Sequence, residues 1–365
     1  MNILITGIHG FVGSNLVSAL RNHHTIYGLD IVAPDKEGVA KTYTWAELES
    51  IPAVDVVIHL AGKAHDTKNQ TNAQVYFDIN TGLTQKIYDW FLTTDATKFI
   101  FFSSVKAAAD RVDGDVLTEE VVPSPKGPYG ESKIAAENYI LSKEPPTPKR
   151  EEPPTPKGEE EKKREEPLTP KGEEDKKRKE PPAPKGEEEK KRELRGEEEE
   201  GQQKRTYILR PCMIHGPGNK GNLNLLYQVV KKGIPYPLGA FENKRSFTSI
   251  DNLSFVIEQL IEKDIPSGIY NMGDDESLST NELIALIAST TGNPNRTWNW
   301  NKTVIELCAR IGTVLHLPFN TERLLKLTEN YVVSTKKLRT ALGIKNMPVS
   351  AQEGFIKTLK SFEKT

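Results

Sequence analysis

The sequence contains few cysteines, two among 365 residues. Cys212 and Cys308 lie far apart and have neither the spacing of a metal site nor that of a disulfide framework. We therefore predict two buried free thiols and no metal site.

Long hydrophobic runs are also missing. The first residues, MNILITGIHGFVG, have no basic segment ahead of an apolar stretch that Gly7 and Gly10 interrupt, so we expect a strand that enters a turn and not a signal peptide. The most apolar later segment, Thr303 to Pro318, contains Glu306 and Arg310 and is shorter than the roughly 20 residues that cross a bilayer. We expect a buried or interfacial helix there, no membrane span, and a cytoplasmic protein.

Outside residues 144–205 the positive and negative charges of the chain balance. Charged residues make up 27% of the chain, and residues 144–205 alone contain 18 of the 49 Lys and Arg and 20 of the 51 Asp and Glu. The other 303 residues therefore carry 31 charges of each sign. Without a basic or acidic excess, neither a nucleic acid nor a cationic partner is indicated.

The charged segment is a tandem repeat of 14 residues. REEPPTPKGEEEKK, REEPLTPKGEEDKK and RKEPPAPKGEEEKK begin at Arg150, Arg164 and Arg178, and a decayed copy begins at Arg192. The units have almost no apolar residues, so no core can offset the entropy of ordering them. We predict a disordered insert over residues 144–205, in a surface loop whose closure cost grows only slowly with length.

The rest of the chain has the pattern of an α/β protein. Short apolar runs alternate with amphipathic stretches of helical length, as in parallel strands joined by helices. We predict strands at Asn2 to Thr6, Thr25 to Asp30, Val54 to Leu60, Lys98 to Ser103 and from Thr206 onward. Consecutive apolar residues in VDVVIHL and KFIFFS favour strands covered on both faces, and hence a doubly wound parallel sheet.

A glycine triplet follows the first strand. Gly7, Gly10 and Gly13 in TGIHGFVG would allow a tight turn and let the backbone approach a pyrophosphate, which the next helix N-terminus stabilises. Asp30 ends the second strand, where a carboxylate would accept hydrogen bonds from an adenosine ribose and repel a 2′-phosphate. The pattern predicts a dinucleotide site that prefers NAD to NADP.

These signals predict a domain organisation. Residues 1–143 together with 206–211 form a Rossmann domain. Residues 212–365 form mainly a smaller C-terminal substrate-binding lobe, with a return to the Rossmann domain near residues 246–262. The disordered insert lies between the two.

A second motif carries acid–base chemistry. Tyr129 and Lys133 are four residues apart, which places both on one face of a helix. An ammonium beside a phenol favours the phenolate and lowers the pKa of the phenol. Ser103 and Ser104 close the preceding strand, so a hydroxyl partner is expected at the carboxyl edge of the sheet.

With these motifs in order, the chain resembles an extended short-chain dehydrogenase/reductase of the NAD-dependent epimerase/dehydratase family. Other landmarks are HLAG ending at Gly62, DIN ending at Asn80 and LRPCMIHGPG ending at Gly218. The resemblance implies Ser104, Tyr129 and Lys133 as catalytic residues. It implies NAD as the cofactor, held by the following residues: Gly7, Gly10, Phe11, Val12, Gly13, Asp30, Leu60, Ala61, Gly62, Asn80 and Lys133.

The downstream half is similar to sugar-nucleotide epimerases and 4-keto-reductases. GNKGNLNLLYQVVKKGIPYPLG and then NKRSFTSIDNL look like their nucleotide-sugar clamp. The resemblance implies a UDP-sugar substrate with Ser104 on the sugar, Asn222 near the nucleotide and Arg245 on the diphosphate, where a guanidinium donates paired hydrogen bonds. Arg323 is a candidate for the second diphosphate arginine. The family also implies a homodimer through a four-helix interface.

Departures from the family pattern narrow the chemistry. Dehydratases of this family carry an Asp-Glu pair immediately after the active-site hydroxyl residue, where this chain has Val105 and Lys106. Without a carboxylate to protonate the departing hydroxyl, 4,6-dehydration is disfavoured. We expect an NAD-dependent nucleotide-sugar 4-epimerase. An NAD(P)H-dependent reductase of a UDP-4-keto-6-deoxy sugar and a non-catalytic NAD-binding regulator are the alternatives.

Overall fold

The computed structural model describes residues 1–63, 72–143, 203–219, 221–317 and 319–363. The repeat insert, predicted to be disordered, lies outside these described residues except at its last positions. Among the described residues, no helix combines the length and the apolar character needed to cross a membrane.

A seven-stranded parallel sheet forms the centre of the fold, in the order β3-β2-β1-β4-β5-β6-β9. The predicted doubly wound parallel sheet is therefore confirmed. β7 and β8 form a separate parallel pair. The strands are β1 (Asn2–Thr6), β2 (Thr25–Asp30), β3 (Lys41–Thr44), β4 (Val56–His59), β5 (Lys98–Phe102), β6 (Arg205–Pro211), β7 (Met213–His215), β8 (Phe247–Ser249) and β9 (Gly268–Met272).

Twelve α-helices are described, with a π-helical turn at Phe77–Gly82 and a 3-10 turn at Leu48–Ser50. The helices are α1 (Phe11–Leu20), α2 (Ala73–Tyr76), α3 (Leu83–Thr93), α4 (Val105–Ala108), α5 (Pro128–Lys143), α6 (Asn222–Lys231), α7 (Ile250–Glu262), α8 (Thr280–Thr291), α9 (Lys302–Val314), α10 (Thr321–Thr328), α11 (Lys336–Leu342) and α12 (Ala351–Phe362).

Apolar cores cover both faces of the sheet, which explains the unbroken apolar runs of the central strands. On one face, Leu16 of α1 and Leu253 of α7 pack against Ile5 of β1. On the other face, Phe91 of α3 and Ile140 of α5 belong to a second core. Because helices lie on both faces, every residue of β4 and β5 is buried.

The sheet extends beyond the ranges that the sequence assigns to the Rossmann domain. β9 pairs with β6 as the outermost strand and lies outside those ranges. α7, which lies within the predicted return at residues 246–262, packs on the same core as α1. α6, α8 and α12 share a separate apolar core that includes Leu223, Ile287 and Phe355. The domain boundaries themselves stay a prediction.

The two cysteines differ in their surroundings. Cys212 is buried behind β6, and burial raises the pKa of its thiol. Cys308 is exposed on α9. The prediction of a buried thiol is therefore wrong for Cys308, because α9 buries only the face that carries Ile305 and Ala309.

Strand order places a crevice at one edge of the sheet. β1 pairs with β2 on one side and with β4 on the other. Strands before β4 are therefore added toward one edge of the sheet, and β4 and the later strands of the sheet are added toward the other edge. In open α/β sheets, ligands bind outside the carboxyl ends of the strands at such a point. Thr6, Asp30 and His59 end the three strands concerned.

Candidate active site

The glycine turn after β1 has a geometry that only glycine fits. Gly7 has a φ of 68° and its amide donates to the carbonyl of Leu29 over 2.8 Å. A Cβ on Gly7 would lie 2.9 Å from the backbone of Ala61, and one on Gly13 would lie 2.6 Å from the carbonyl oxygen of Gly7. The turn therefore packs directly on the end of β4 and against the start of α1.

Asp30 lies beside this turn. One carboxylate oxygen accepts from the amide of His9 over 3.1 Å, and the other accepts from the amide of Ile31 over 2.8 Å. The side chain is half-buried, so it is held at the crevice and still reaches solvent. A carboxylate at the end of β2 is suited to the hydroxyls of a ribose.

The residues predicted to hold a dinucleotide surround one crevice. Gly10 precedes α1 as its N-cap, and Phe11, Val12 and Gly13 form the first turn of that helix. Leu60 and Ala61 follow β4, and both amides donate to the hydroxyl of Thr6. A Cβ at Gly7, Gly10 or Gly13 would lie within 3.1 Å of neighbouring backbone atoms, so only glycine lets the turn pack this closely. The turn leads into the N-terminus of α1, and this arrangement fits a bound pyrophosphate.

Tyr129, Ser104 and Lys133 meet at the carboxyl end of β5. Ser104 caps α4, and its hydroxyl hydrogen-bonds the phenol of Tyr129. The ring of Tyr76 lies edge-on to that of Tyr129, with centroids 6.4 Å apart. Lys133 follows Tyr129 by one turn of α5, as the four-residue spacing predicts.

The titration of Tyr129 differs from the prediction made from sequence. Burial raises the pKa of Tyr129, and the hydrogen bond from Ser104 opposes that effect only in part. The prediction of a lowered phenol pKa is therefore wrong for this structure, because removal from water outweighs the favourable contacts of the phenolate.

Lys133 is a buried ammonium group. Its Nζ donates to the carbonyl oxygen of Phe102 over 2.8 Å and lies 5.1 Å from the ring centroid of Phe101. Burial lowers the pKa of Lys133 to about 8, while the carboxylate of Glu137 acts in the opposite direction. A Cβ on Gly62 would lie 3.2 Å from Nζ, so the crevice and the ammonium are adjacent.

Asn80 joins the crevice to the active-site helix. It lies in the π-helical turn, and Oδ1 accepts from the amide of Lys63 over 2.7 Å. Its Nδ2 donates over 2.9 Å to the hydroxyl of Ser132, which donates over 2.9 Å to the carbonyl of Tyr129. Single π-helical turns are frequent at functional sites, and Asn80 connects this one to α5 through Ser132.

A buried histidine that sequence reasoning left unassigned supports the same region. His59 Nδ1 lies 2.7 Å from Thr6 Oγ1, and Nε2 lies 2.9 Å from Thr84 Oγ1, which donates to the carbonyl of Asn80. Since Thr84 donates to Asn80, Nε2 is the protonated nitrogen and Nδ1 accepts from Thr6. Burial and the charge of Lys133 lower the pKa of His59 to about 3.

An ion pair beneath Lys133 was also missed. Arg210 of β6 and Glu137 of α5 are 1% and 0% exposed, with Nη2 and Oε2 2.6 Å apart. Ser103 also donates to Glu137. The available sequence signal was the spacing of Glu137, four residues after Lys133, and a cation inside an apolar strand.

Of the residues predicted to contact the nucleotide and diphosphate of the substrate, the structure describes the side chains of Arg245 and Arg323. Arg245 is half-buried, and its Nη2 lies 3.6 Å from Glu329, which also lies 3.7 Å from Nε of Arg111. Arg323 lies in the first turn of α10, where it is exposed. The side chain of Asn222, the predicted nucleotide contact, lies outside the described residues.

Val105 and Lys106 stand at the positions that carry Asp-Glu in dehydratases, and their side chains do not face the crevice. Val105 is buried in an apolar cluster with Tyr331 and Cys212. The ammonium of Lys106 donates to the carbonyl of Asp110 over 2.6 Å and lies 4.5 Å from the ring centroid of Tyr331. Neither residue presents a carboxylate to the crevice.

Comparison with known sequences identifies a family and several relatives. Residues 3–144 match the model of the NAD dependent epimerase/dehydratase family. A UDP-glucose 4-epimerase of Vibrio cholerae is 25% identical over 99% of this chain and 95% of its own. A UDP-glucose 4-epimerase of Streptococcus mutans is 30% identical over 38% of this chain and 46% of its own.

Solved structures with the same fold extend over the whole chain. The UDP-N-acetylglucosamine 4-epimerase from Bacillus cereus covers 100% of both chains, with a TM-score of 0.65 and 16% identity. MoeE5 in complex with UDP-glucuronic acid and NAD covers 100% of this chain and 99% of its own, with a TM-score of 0.65 and 18% identity. At these identities the similarity establishes the fold.

The fold and the site define a Rossmann enzyme of the short-chain dehydrogenase/reductase type, with its serine, tyrosine and lysine at the carboxyl edge of the sheet. The chain is similar to the NAD-dependent epimerase/dehydratase family, whose model matches residues 3–144. The family resemblance drawn from the sequence is thereby confirmed.

Proposed function

We propose that this chain is an NAD-dependent nucleotide-sugar 4-epimerase that acts on a UDP-hexose or a UDP-N-acetylhexosamine. The observation that carries the proposal is the contact of Ser104 with Tyr129, one helical turn from Lys133 and beside the glycine turn. The full-length similarity to a UDP-glucose 4-epimerase supports the same reaction class.

The cofactor site fits NAD. The close-packed glycine turn leads into the N-terminus of α1, where a pyrophosphate would bind, and Asp30 offers a carboxylate to the adenosine ribose. That carboxylate would repel a 2′-phosphate. Bound NAD would supply reversible hydride exchange with sugar carbon 4.

The protein residues manage the proton of the sugar 4-hydroxyl. Tyr129 as the phenolate removes this proton while the bond from carbon 4 to hydrogen breaks, and it returns the proton when that bond re-forms on the other face. Ser104 donates to the same sugar oxygen. Lys133 supplies the positive charge that favours the phenolate, and its ammonium would also bind the cofactor ribose.

Arg245 is proposed to bind the diphosphate of the substrate. Its guanidinium is partly exposed and faces the carboxylate of Glu329, as does Arg111. A diphosphate offers more negative charge than one carboxylate and accepts bidentate hydrogen bonds. Arg111 is therefore a second candidate for the diphosphate, beside Arg323.

Turnover of a pure epimerase needs no added reductant. We expect purified protein to interconvert UDP-glucose or UDP-N-acetylglucosamine with their 4-epimers. Proton NMR of the anomeric signals measures this interconversion. Strict dependence on added NADH or NADPH together with a 4-keto sugar would replace this proposal with the reductase. The homodimer through the α5 region stays a prediction.

A further inference from the structure

Exposed apolar side chains are concentrated in one part of the described chain. Of the 21 large apolar residues that are exposed, ten lie between Trp298 and Leu327. Single exposed apolar residues are ordinary on protein surfaces, whereas a contiguous group marks an interaction site.

Helix α9 presents two apolar faces. Ile305 and Ala309 are buried against Leu324 of α10. The opposite face consists of apolar residues at spacings of three and four, which places them on one side of the helix. Its large members are 49% to 75% exposed: Val304, Leu307, Ile311, Val314 and the following Leu315.

Two tryptophans precede this helix. Trp298 and Trp300 are 48% and 49% exposed, and their rings stack with centroids 6.3 Å apart. Asn301 caps α9 directly after them. Tryptophan is enriched where an apolar layer meets water, because its ring is apolar and its N–H is polar.

The same segment carries a local excess of positive charge. Residues 294–327 contain five cations (Arg296, Lys302, Arg310, Arg323 and Lys326) and two anions (Glu306 and Glu322). Outside the repeat insert the chain as a whole has equal numbers of both signs. An apolar helix face accompanied by tryptophan and cations has the chemistry that binds anionic lipid surfaces.

The repeat insert does not have the chemistry to cover this face. Between residues 144 and 203 its apolar residues are only Leu168, Ala183 and Leu194. Burying an apolar helix face requires an apolar surface of similar extent. The occupant must therefore come from outside the insert.

We propose that the outer face of α9, with Trp298 and Trp300, docks on an anionic membrane surface and holds the enzyme there as a peripheral protein. The helix would lie in the plane of the interface, with Leu307 and Ile311 at the centre of the buried face. Cations of the segment would contact the lipid phosphates.

Vesicle co-sedimentation of the full chain tests this proposal. The probe is an equimolar mixture of phosphatidylglycerol and phosphatidylcholine, compared with phosphatidylcholine alone. We expect binding to the mixed vesicles that weakens in high salt. Leu307→Gln with Ile311→Gln should reduce binding by about tenfold, since affinity scales with the apolar area buried.

Val116→Gln with Val122→Gln is the control, because these apolar residues are also exposed, at 43% and 84%, but lie elsewhere. It should bind vesicles as the unaltered chain does. Equal sedimentation of the Leu307/Ile311 variant would overturn the proposal. A second result would also overturn it: the unaltered chain does not bind vesicles and is a dimer in analytical ultracentrifugation, whereas this variant is a monomer. The face would then pair two copies of the chain. Turnover and thermal midpoint should stay unchanged in both variants.

Discussion

Glu137 and Arg210 form a bidentate ion pair in the interior, with Nε to Oε1 at 3.0 Å and Nη2 to Oε2 at 2.6 Å. The pair joins α5 to β6 one helical turn below Lys133. Ser103 donates to the same carboxylate, so the ends of β5 and β6 and the active-site helix share one anchor.

Loss of one member of this pair should destabilise the protein. Arg210→Met leaves the Glu137 carboxylate buried without its cation, which costs about 3–5 kcal/mol of unfolding free energy. Urea unfolding measures the effect. Glu137→Leu with Arg210→Met removes both charges and should recover most of the loss. A double variant as unstable as the single one would show that packing, and not the charge pair, holds this region.

Acid should destabilise the fold through His59. Its pKa is 6.5 in the unfolded chain and about 3 in the native protein. Below 6.5 the unfolded chain therefore binds the proton first, so stability is complete above pH 6.5 and falls as the pH drops toward 3. The unfolding free energy measured across this range should have a shallower slope in His59→Gln, which has no proton to gain. An unchanged slope would assign the acid sensitivity to other groups.

Removal of the Tyr129 hydroxyl should abolish chemistry and leave binding intact. Tyr129→Phe should lower turnover by at least about 100-fold, because the proton acceptor is lost. NAD affinity, measured by calorimetry, should stay near that of the unaltered chain. Tyr139→Phe is the control on the same helix, since that phenol contacts Asp89 on the surface. Substantial turnover in Tyr129→Phe would favour a non-catalytic role for this residue.

The glycine turn should not tolerate a methyl group. In Gly13→Ala the new Cβ would lie 2.6 Å from the carbonyl oxygen of Gly7 and 2.8 Å from Cα of Ile8. We expect a loss of about 1–3 kcal/mol in stability and weaker NAD binding, because the turn must open. In Gly82→Ala the nearest such atom is 3.8 Å away, so that variant should bind NAD normally. Equal NAD affinity in both variants would show that the close packing of the glycine turn is not needed for NAD binding.

Much of the fold follows from local sequence pattern. β1 and β2 begin and end where their apolar residues predict, because both faces of these strands are buried. β3 escaped prediction since KTYT is short and half polar. β9 lies far along the chain, where the sequence pattern favoured a separate lobe.

The sequence likewise predicts some features of the candidate site and not others. Gly7, Tyr129 and Lys133 belong to motifs with fixed spacing, and such spacing determines which face of an element a residue takes. The pairing of Glu137 with Arg210 spans 73 residues and depends on tertiary contact. The raised pKa of Tyr129 also depends on burial, which the sequence motif does not specify.

The most direct test of the central claim is the fate of the hydrogen on sugar carbon 4. A UDP-sugar labelled with deuterium at that position is incubated with purified protein and no added reduced cofactor. The proposed epimerase predicts that both 4-epimers appear and that each keeps its deuterium at carbon 4. No interconversion, or loss of the label from carbon 4 during turnover, would contradict hydride transfer within one active site.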